Sequence, residues 1–330
     1  MVTKSETSPC VVVLGTGGTI AGQAASAGDN LGYVAGQIGV EALVRQLSLP
    51  DGLALKSEQV AQLDSKDMDF AVWQALAARC NEWLARDEVL GVVITHGTDT
   101  LEETAFFLHS VLAPTKPVVL TCAMRPATAL APDGPQNLRD AIAVAATPGA
   151  SGVMAACAGT VHGALDVQKV HTYRLDAFAS GDAGPLGYVE EGAVRWLRPG
   201  PAREDEAAAR LARVGRTAIA DWPRVEILMS HAGAGGRLVE ALLQERRSGA
   251  ADAVQGLVLA ATGNGSLHQA LEAAAVKAQQ EGVAVLRATR CSEGRILATP
   301  HAALRDAGAL TPVKARIALM LELLLAAPEA

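Results

Sequence analysis

Short runs of apolar, β-branched residues alternate with longer stretches of helical period along most of this chain. Seven runs predict strands: residues 10–15, 89–97, 117–124, 152–157, 225–231, 256–261 and 283–289. Between them, apolar residues recur every three or four positions, as in Phe70, Trp73, Leu76, Cys80 and Trp83. Leu267, Leu271, Ala274 and Ala278 repeat the pattern and predict a second amphipathic helix. Strands that are apolar throughout are buried on both faces, and helices alternating with them must supply the cover. The expected fold is therefore α/β, with a doubly wound parallel sheet.

The alternation breaks over residues 199–223, a stretch rich in charge, Pro and Gly, and then restarts. We read a larger N-terminal doubly wound domain over residues 1–200, a connection over 201–222, and a smaller C-terminal α/β domain over 223–330. A length of 330 residues agrees with more than one core. Apolar residues make up 50% of the chain and aromatic ones only 3%, so Ala, Val, Leu and Ile must build those cores.

A formal charge of −7 argues against broad binding to nucleic acid or to an anionic membrane. Five cysteines at wide, irregular spacing include no C-x-x-C pair, so neither a zinc site nor a redox pair is read. Cys10, Cys122 and Cys157 fall in or beside apolar runs and read as buried thiols, which fits a reducing compartment. The polar opening "MVTKSETSPC" has no apolar signal-like core, and no run is long enough to span a bilayer. A cytoplasmic location is the expectation, with an exported precursor left open.

In open α/β sheets ligands bind beyond the carboxyl ends of the strands, which directs attention to three loops. The first is "VVLGTGGTIAG", residues 12–22. It lacks the third glycine of a dinucleotide fingerprint, and Gln23 and Ala24 stand where a phosphate loop needs Lys and a hydroxyl. The second, "HGTDTLEET" from His96 to Thr104, offers Thr100 and Glu103 as a capping box for the next helix. That leaves Thr98 and Asp99, a hydroxyl beside a carboxylate, as a candidate reactive pair. The third, Thr262-Gly263-Asn264-Gly265, is a tight turn whose amide could also reach a ligand.

"TGGTIAG" followed by "HGTDTLEET" resembles the two signature segments of the bacterial-type L-asparaginase/glutaminase family. The likeness continues through "YVAGQIGVEAL", "DSKDM", "PVVLTCAMRP", "DGPQNL", "DVQK", "GPLGYV" and "TGNG". It implies a two-domain α/β amidohydrolase, a homotetramer of intimate dimers, that releases ammonia from L-asparagine through an acyl-threonine, with L-glutamine a poorer substrate. No metal or cofactor is implied.

The resemblance makes Thr19 the nucleophile and Tyr33, in a Gly/Ala/Ser-rich lid over residues 23–36, its activator. Thr98, Asp99 and Lys169 would form a triad with the lysine as base. Ser65 and Asp99 would take the substrate's carboxylate and ammonium, with Asn264 and Glu293 as further substrate contacts. Lys66 departs from the family, many of whose secreted members carry Gln there; a cation so placed bears on affinity and on the choice between Asn and Gln. Two other readings are the amidase subunit of a tRNA-dependent amidotransferase, which would need a partner protein, and a non-catalytic amino-acid-binding α/β protein.

Overall fold

The computed structural model describes residues 8–47, 52–200, 205–300 and 302–328. The polar segment 1–7 and residues 201–204 of the expected connection lie outside them. The chain divides into two compact units, Met1–Leu211 and Ala212–Ala330.

The strands of the first unit are β1 (Cys10–Gly17), β2 (Ala54–Leu63), β3 (Val89–Thr95), β4 (Pro117–Thr121), β5 (Gly152–Cys157), β6 (Thr160–Gly163), β7 (Gln168–Lys169), β8 (Phe178–Ala179), β9 (Gly187–Glu190) and β10 (Ala193–Trp196). Its helices are α1 (Val40–Arg45), α2 (Phe70–Leu84), α3 (Leu101–Leu112) and α4 (Gly134–Ala146). Among the described residues, eight strands form one sheet in the order β10-β9-β6-β5-β4-β3-β1-β2. β7 and β8 pair separately, bringing Lys169 opposite Phe178.

The central strands pair in parallel, β2 and β3 flanking β1 on either side, and then β4 and β5. Strand order reverses between β1 and β3, which makes the carboxyl ends of these two strands the topological switch point of the sheet. Alternation along the strands divides the core. Val11, Val13, Val93, Val119 and Met154 pack with Val40 of α1 and with Leu138, Ala141 and Ile142 of α4. On α2 and α3, Trp73 stacks on Phe107, centroids 4.9 Å apart and planes 15° from parallel. Such a buried aromatic pair contributes about 1 kcal/mol beyond the area it buries.

The expected parallel core is present, and the sheet continues beyond it. β6, β9 and β10 extend it in antiparallel fashion. The cause is local: two-residue turns, Ala158-Gly159 and Glu191-Gly192, have positive φ at both positions. That geometry matches the twist of a hairpin and returns the chain directly, with no crossover helix. β2 is a second element that the apolar pattern passed over. It is an edge strand carrying Lys56, Glu58, Gln59 and Gln62, the polar dress that keeps an edge from pairing with another chain.

Helix α5 (Ala207–Arg216) crosses the division between the units. The second unit then runs β11 (Val225–Met229), α6 (Arg237–Arg247), β12 (Gly256–Ala261), α7 (Gln269–Gln280), β13 (Ala284–Thr289), β14 (Arg305–Asp306) and α8 (Pro312–Ala326). Its described strands form a parallel sheet in the order β11-β12-β13-β14. Leu257, Leu259 and Val285 pack with Val239 and Leu243 of α6 and with Leu271, Ala275 and Ala278 of α7. α8 crosses the sheet at Gly256, where an added Cβ would lie 3.0 Å from Leu319. Its start is set by Pro312 in the first turn and by Thr311, whose hydroxyl accepts from the Lys314 N–H, an N-cap. No described helix is long and apolar enough to cross a membrane.

Candidate active site

The loops leaving β1 and β3 meet backbone to backbone. A Cβ on Gly18 (φ +76°) would sit 2.3 Å from the Gly97 Cα, and one on Gly97 would sit 2.3 Å from Ser65 Oγ. Glycine is required at both places, and the close approach brings the next residues, Thr19 and Thr98, into one crevice. Gly17, at φ +102°, is equally constrained, since its Cβ would lie 2.4 Å from the Leu63 carbonyl. The glycines after β1 thus set backbone against backbone at the switch point.

Thr19 opens a single turn of 3-10 helix, Thr19–Ala21, and is 7% exposed. Its Oγ1 lies 2.6 Å from the phenol oxygen of Tyr33. Tyr33 reaches it from the 23–36 segment, closed at its base by reciprocal backbone bonds between Gln23 and Val34. The segment is tied down elsewhere: Ala24 N–H donates to Thr128 Oγ1, and Leu130 N–H to the Ala27 carbonyl. Thr19 and the 23–36 segment therefore meet through a direct hydroxyl–hydroxyl bond.

The second group is a chain of charges and hydroxyls. Lys169 Nζ donates to Thr98 Oγ1 at 2.7 Å and to Asp99 Oδ1 at 2.6 Å. Its backbone N–H donates to Glu102 Oε2, so α3 fixes the lysine that β7 presents. The Thr98 hydroxyl is buried while the Asp99 side chain is 53% exposed. Asp99 can thus face a ligand while still bonded to Lys169.

Ser65 joins the groups. Its Oγ accepts from the Asp99 N–H at 3.2 Å, and its carbonyl accepts from Thr100 Oγ1 at 2.7 Å. The second bond corrects the capping box. Thr100 is the residue before α3 but makes no side-chain cap bond there; its hydroxyl instead ties the Ser65 turn to the loop after β3. The hydroxyl donates to a tertiary carbonyl where the capping box would have it accept from a helix N–H, and the sequence held no signal for this.

Lys66 does not project its charge onto these groups. Its ammonium sits 2.7 Å from Asp64 and 3.4 Å from Asp67, on the exposed side of the turn. The hydrogen bond it donates to Asp64 is the main cause that raises its pKa, so it stays a cation neutralised by its neighbours.

In the second unit, Asn264 uses both ends of its amide on Leu297. Nδ2 donates to the Leu297 carbonyl at 3.2 Å, and Oδ1 accepts from its N–H at 2.7 Å. The loop is also held by Arg287 on the Gly265 carbonyl and by Thr289 on that of Gly263. Glu293 is exposed in the loop that follows β13.

His96 lies wholly buried under the triad loop. Desolvation lowers its pKa to about 4, partly opposed by its bond to the Gly97 carbonyl. Cys122 and Cys157, at the ends of β4 and β5, are buried with their sulfurs 3.3 Å apart. That contact, followed by burial, pushes the Cys122 thiol well above its ordinary pKa, the signature of an unreactive thiol.

This construction at the carboxyl end of a 2-1-3-4-5 parallel core has counterparts. A family model described as "Asparaginase, N-terminal" matches residues 10–201, and one described as "Glutaminase/Asparaginase C-terminal domain" matches residues 224–327. The chain belongs to the asparaginase family. L-asparaginase 2 of Escherichia coli K12 is 37% identical over 325 residues, spanning 96% of this chain and 89% of that protein. A glutaminase-asparaginase of Pseudomonas fluorescens is 36% identical over 287 residues, spanning 86% of this chain and 76% of its own. Among solved structures, the "Probable Cytoplasmic L-asparaginase from Campylobacter jejuni" superposes with a TM-score of 0.85 at 35% identity, covering 96% of this chain and 95% of that one. The α/β fold, with its larger N-terminal and smaller C-terminal domain, is that of the family.

Proposed function

We propose that this chain is an L-asparagine amidohydrolase that forms aspartate and ammonia through an acyl ester on Thr19, with L-glutamine as a poorer substrate. The carrying observation is the 2.6 Å contact between Thr19 Oγ1 and the Tyr33 hydroxyl, at the point where the two loops converge. An aliphatic hydroxyl attacks only when a neighbour takes its proton, and Tyr33 is in reach. Thr19 Oγ1 bonds to the amide carbon as its proton passes to the Tyr33 oxygen and the Tyr33 hydroxyl proton passes on to the amide nitrogen. The C–N bond then breaks, and the leaving nitrogen departs as ammonia with that proton. Water adds to the ester, and aspartate and free Thr19 result.

Lys169, bonded to Thr98 and Asp99, supports this reading: as the free amine it would be the base that serves the water through the Thr98 hydroxyl. Asp99 takes the substrate ammonium by a charge-assisted bond, and Ser65 donates to the α-carboxylate. We place Lys66, Asn264 and Glu293 at the periphery of substrate binding. An extra methylene discriminates by only about 1–3 kcal/mol, which is why glutamine is retained as a poorer substrate.

The bounds of the two family models support a division into domains 1–200 and 223–330 joined by 201–222. Full-length similarity to named asparaginases favours a self-sufficient enzyme over an amidotransferase subunit or a non-catalytic binder. We further propose a homotetramer, and a cytoplasmic location that suits the chain's free thiols. The test is ammonia release from L-asparagine and L-glutamine by the purified chain and by Thr19→Ala, with light scattering for the assembly. Turnover of asparagine that disappears in the variant is expected. Equal activity of the two proteins would place the nucleophile elsewhere.

A further inference from the structure

Under the triad loop, three buried side chains pass hydrogen bonds in one direction. Trp73 Nε1–H donates to Thr104 Oγ1 at 2.9 Å. Thr104 Oγ1 is 2.9 Å from His96 Nε2, and His96 Nδ1 is 2.7 Å from the Gly97 carbonyl oxygen. A carbonyl can only accept and an indole N–H can only donate. His96 must therefore carry its proton on Nδ1, leaving Nε2 to accept. The Thr104 hydroxyl must give its proton to Nε2, leaving its lone pairs for Trp73. The carbonyl end of the line fixes the tautomer, and the Trp73 end accommodates it.

The line ends on a peptide of the site. In a trans peptide the C=O and the following N–H point in opposite directions. The Gly97 carbonyl turns inward to His96, so the Thr98 N–H turns away from the buried ring. Gly97 itself is confined between Gly18 and Ser65, which restricts rotation of its peptide plane. We propose that Trp73, Thr104 and His96 form a positioning relay. It locks the Gly97–Thr98 peptide so that the Thr98 N–H meets the negative charge developing on the substrate carbonyl oxygen.

The proposal rests on the amidohydrolase reading. None of the three relay side chains touches substrate; all act through one peptide plane. Such a donor matters most in the transition state, so disturbing its aim should lower kcat and leave KM nearly unchanged.

Thr104→Val keeps the shape of the side chain and removes the hydroxyl; Thr104→Ser restores it. The expected result is a loss in kcat of about tenfold for Thr104→Val, counted per folded site, with KM within about twofold. Thr104→Ser should return to within about twofold of the parent. Nitrogen-15 NMR of the parent's imidazoles should show the Nδ1–H tautomer for His96, identified by its loss in His96→Asn. An Nε2–H tautomer for His96 in the parent would overturn the relay. A Thr104→Val protein that loses only thermal stability, with kcat unchanged, would overturn it as well. The tautomer is read without turnover, whereas failure of the amidohydrolase reading would show as absent ammonia release by the parent.

Discussion

The Thr19 and Tyr33 hydroxyls are in direct contact at 2.6 Å, although one sits on a fixed sheet-end turn and the other on a looped segment. Proton transfer by a positioned side chain contributes roughly 10²–10⁴-fold to a rate. Tyr33→Phe keeps the ring and removes the acceptor, so kcat for asparagine should fall by about that factor. Gly22 packs on the ring, an added Cβ there lying 2.8 Å from Tyr33 Cδ2, and this contact survives in the variant. Thermal unfolding should therefore change little. A kcat within twofold of the parent would remove Tyr33 from the proton path.

Thr98→Val breaks the 2.7 Å bond from Lys169 and leaves the 2.6 Å ion pair with Asp99 in place. If Lys169 serves water through Thr98, deacylation becomes slow while acylation persists. Rapid-quench measurement should then show a burst of one ammonia per site, followed by a steady rate at least tenfold below the parent. Absence of a burst with an equally slow steady rate would assign Thr98 to the first step.

Gly18 sits at φ +76°, with the Gly97 backbone where a side chain would go. Gly18→Ala combines a strained backbone with overpacking against main chain, which cannot rotate away. A loss of roughly 2–4 kcal/mol in stability is expected, together with loss of turnover. Urea titration of the variant measures the first directly, and an unchanged midpoint would contradict the backbone contact.

Much of this arrangement was legible in the sequence, for a physical reason. Strands buried on both faces must be apolar throughout, so β1, β3, β4, β5, β12 and β13 declared themselves, while β11 showed by its apolar run although it is a half-exposed edge strand. The hairpins of β6 and β10 did not, because their turns are Ala-Gly and Glu-Gly, weaker turn pairs than Asn-Gly. β2 escaped because an edge strand wears polar residues. Thr19, Thr98 and Asp99 could be singled out by their place after strands. Lys169 could not, since it lies 70 residues from Asp99 in sequence and reaches it from a two-residue strand. Only family likeness named it. Thr100's bond to Ser65 was hidden by a good local alternative, the capping box.

Lys66 offers a test of how far its charge is felt. Its ammonium is held by Asp64 and Asp67 on the solvent side, where such pairs are strongly screened. Lys66→Gln should change KM for asparagine by less than about fivefold. Replacing both acids, Asp64→Asn with Asp67→Asn, frees the cation and should raise KM further than either single change. A large improvement in KM from Lys66→Gln alone would show that the lysine reaches the substrate ammonium despite its acidic neighbours.

The buried imidazole of His96 predicts a particular dependence of stability on pH. Its pKa is lowered to about 4 in the folded chain, desolvation outweighing the bond to the Gly97 carbonyl, against about 6.5 unfolded. Between those values the unfolded chain binds the extra proton, so stability falls as the pH drops. The contribution is complete above about pH 6.5 and is lost on the way down to about pH 4, in total roughly 3 kcal/mol. Carboxylates titrate in the same range, so the comparison must be with His96→Asn, which keeps an amide N–H for Gly97 and cannot take up the proton. Urea midpoints of parent and variant at pH 7.5 and 4.5 give the difference. The parent should lose more stability than the variant on acidification, and parallel losses would mean that His96 is not held neutral by its burial.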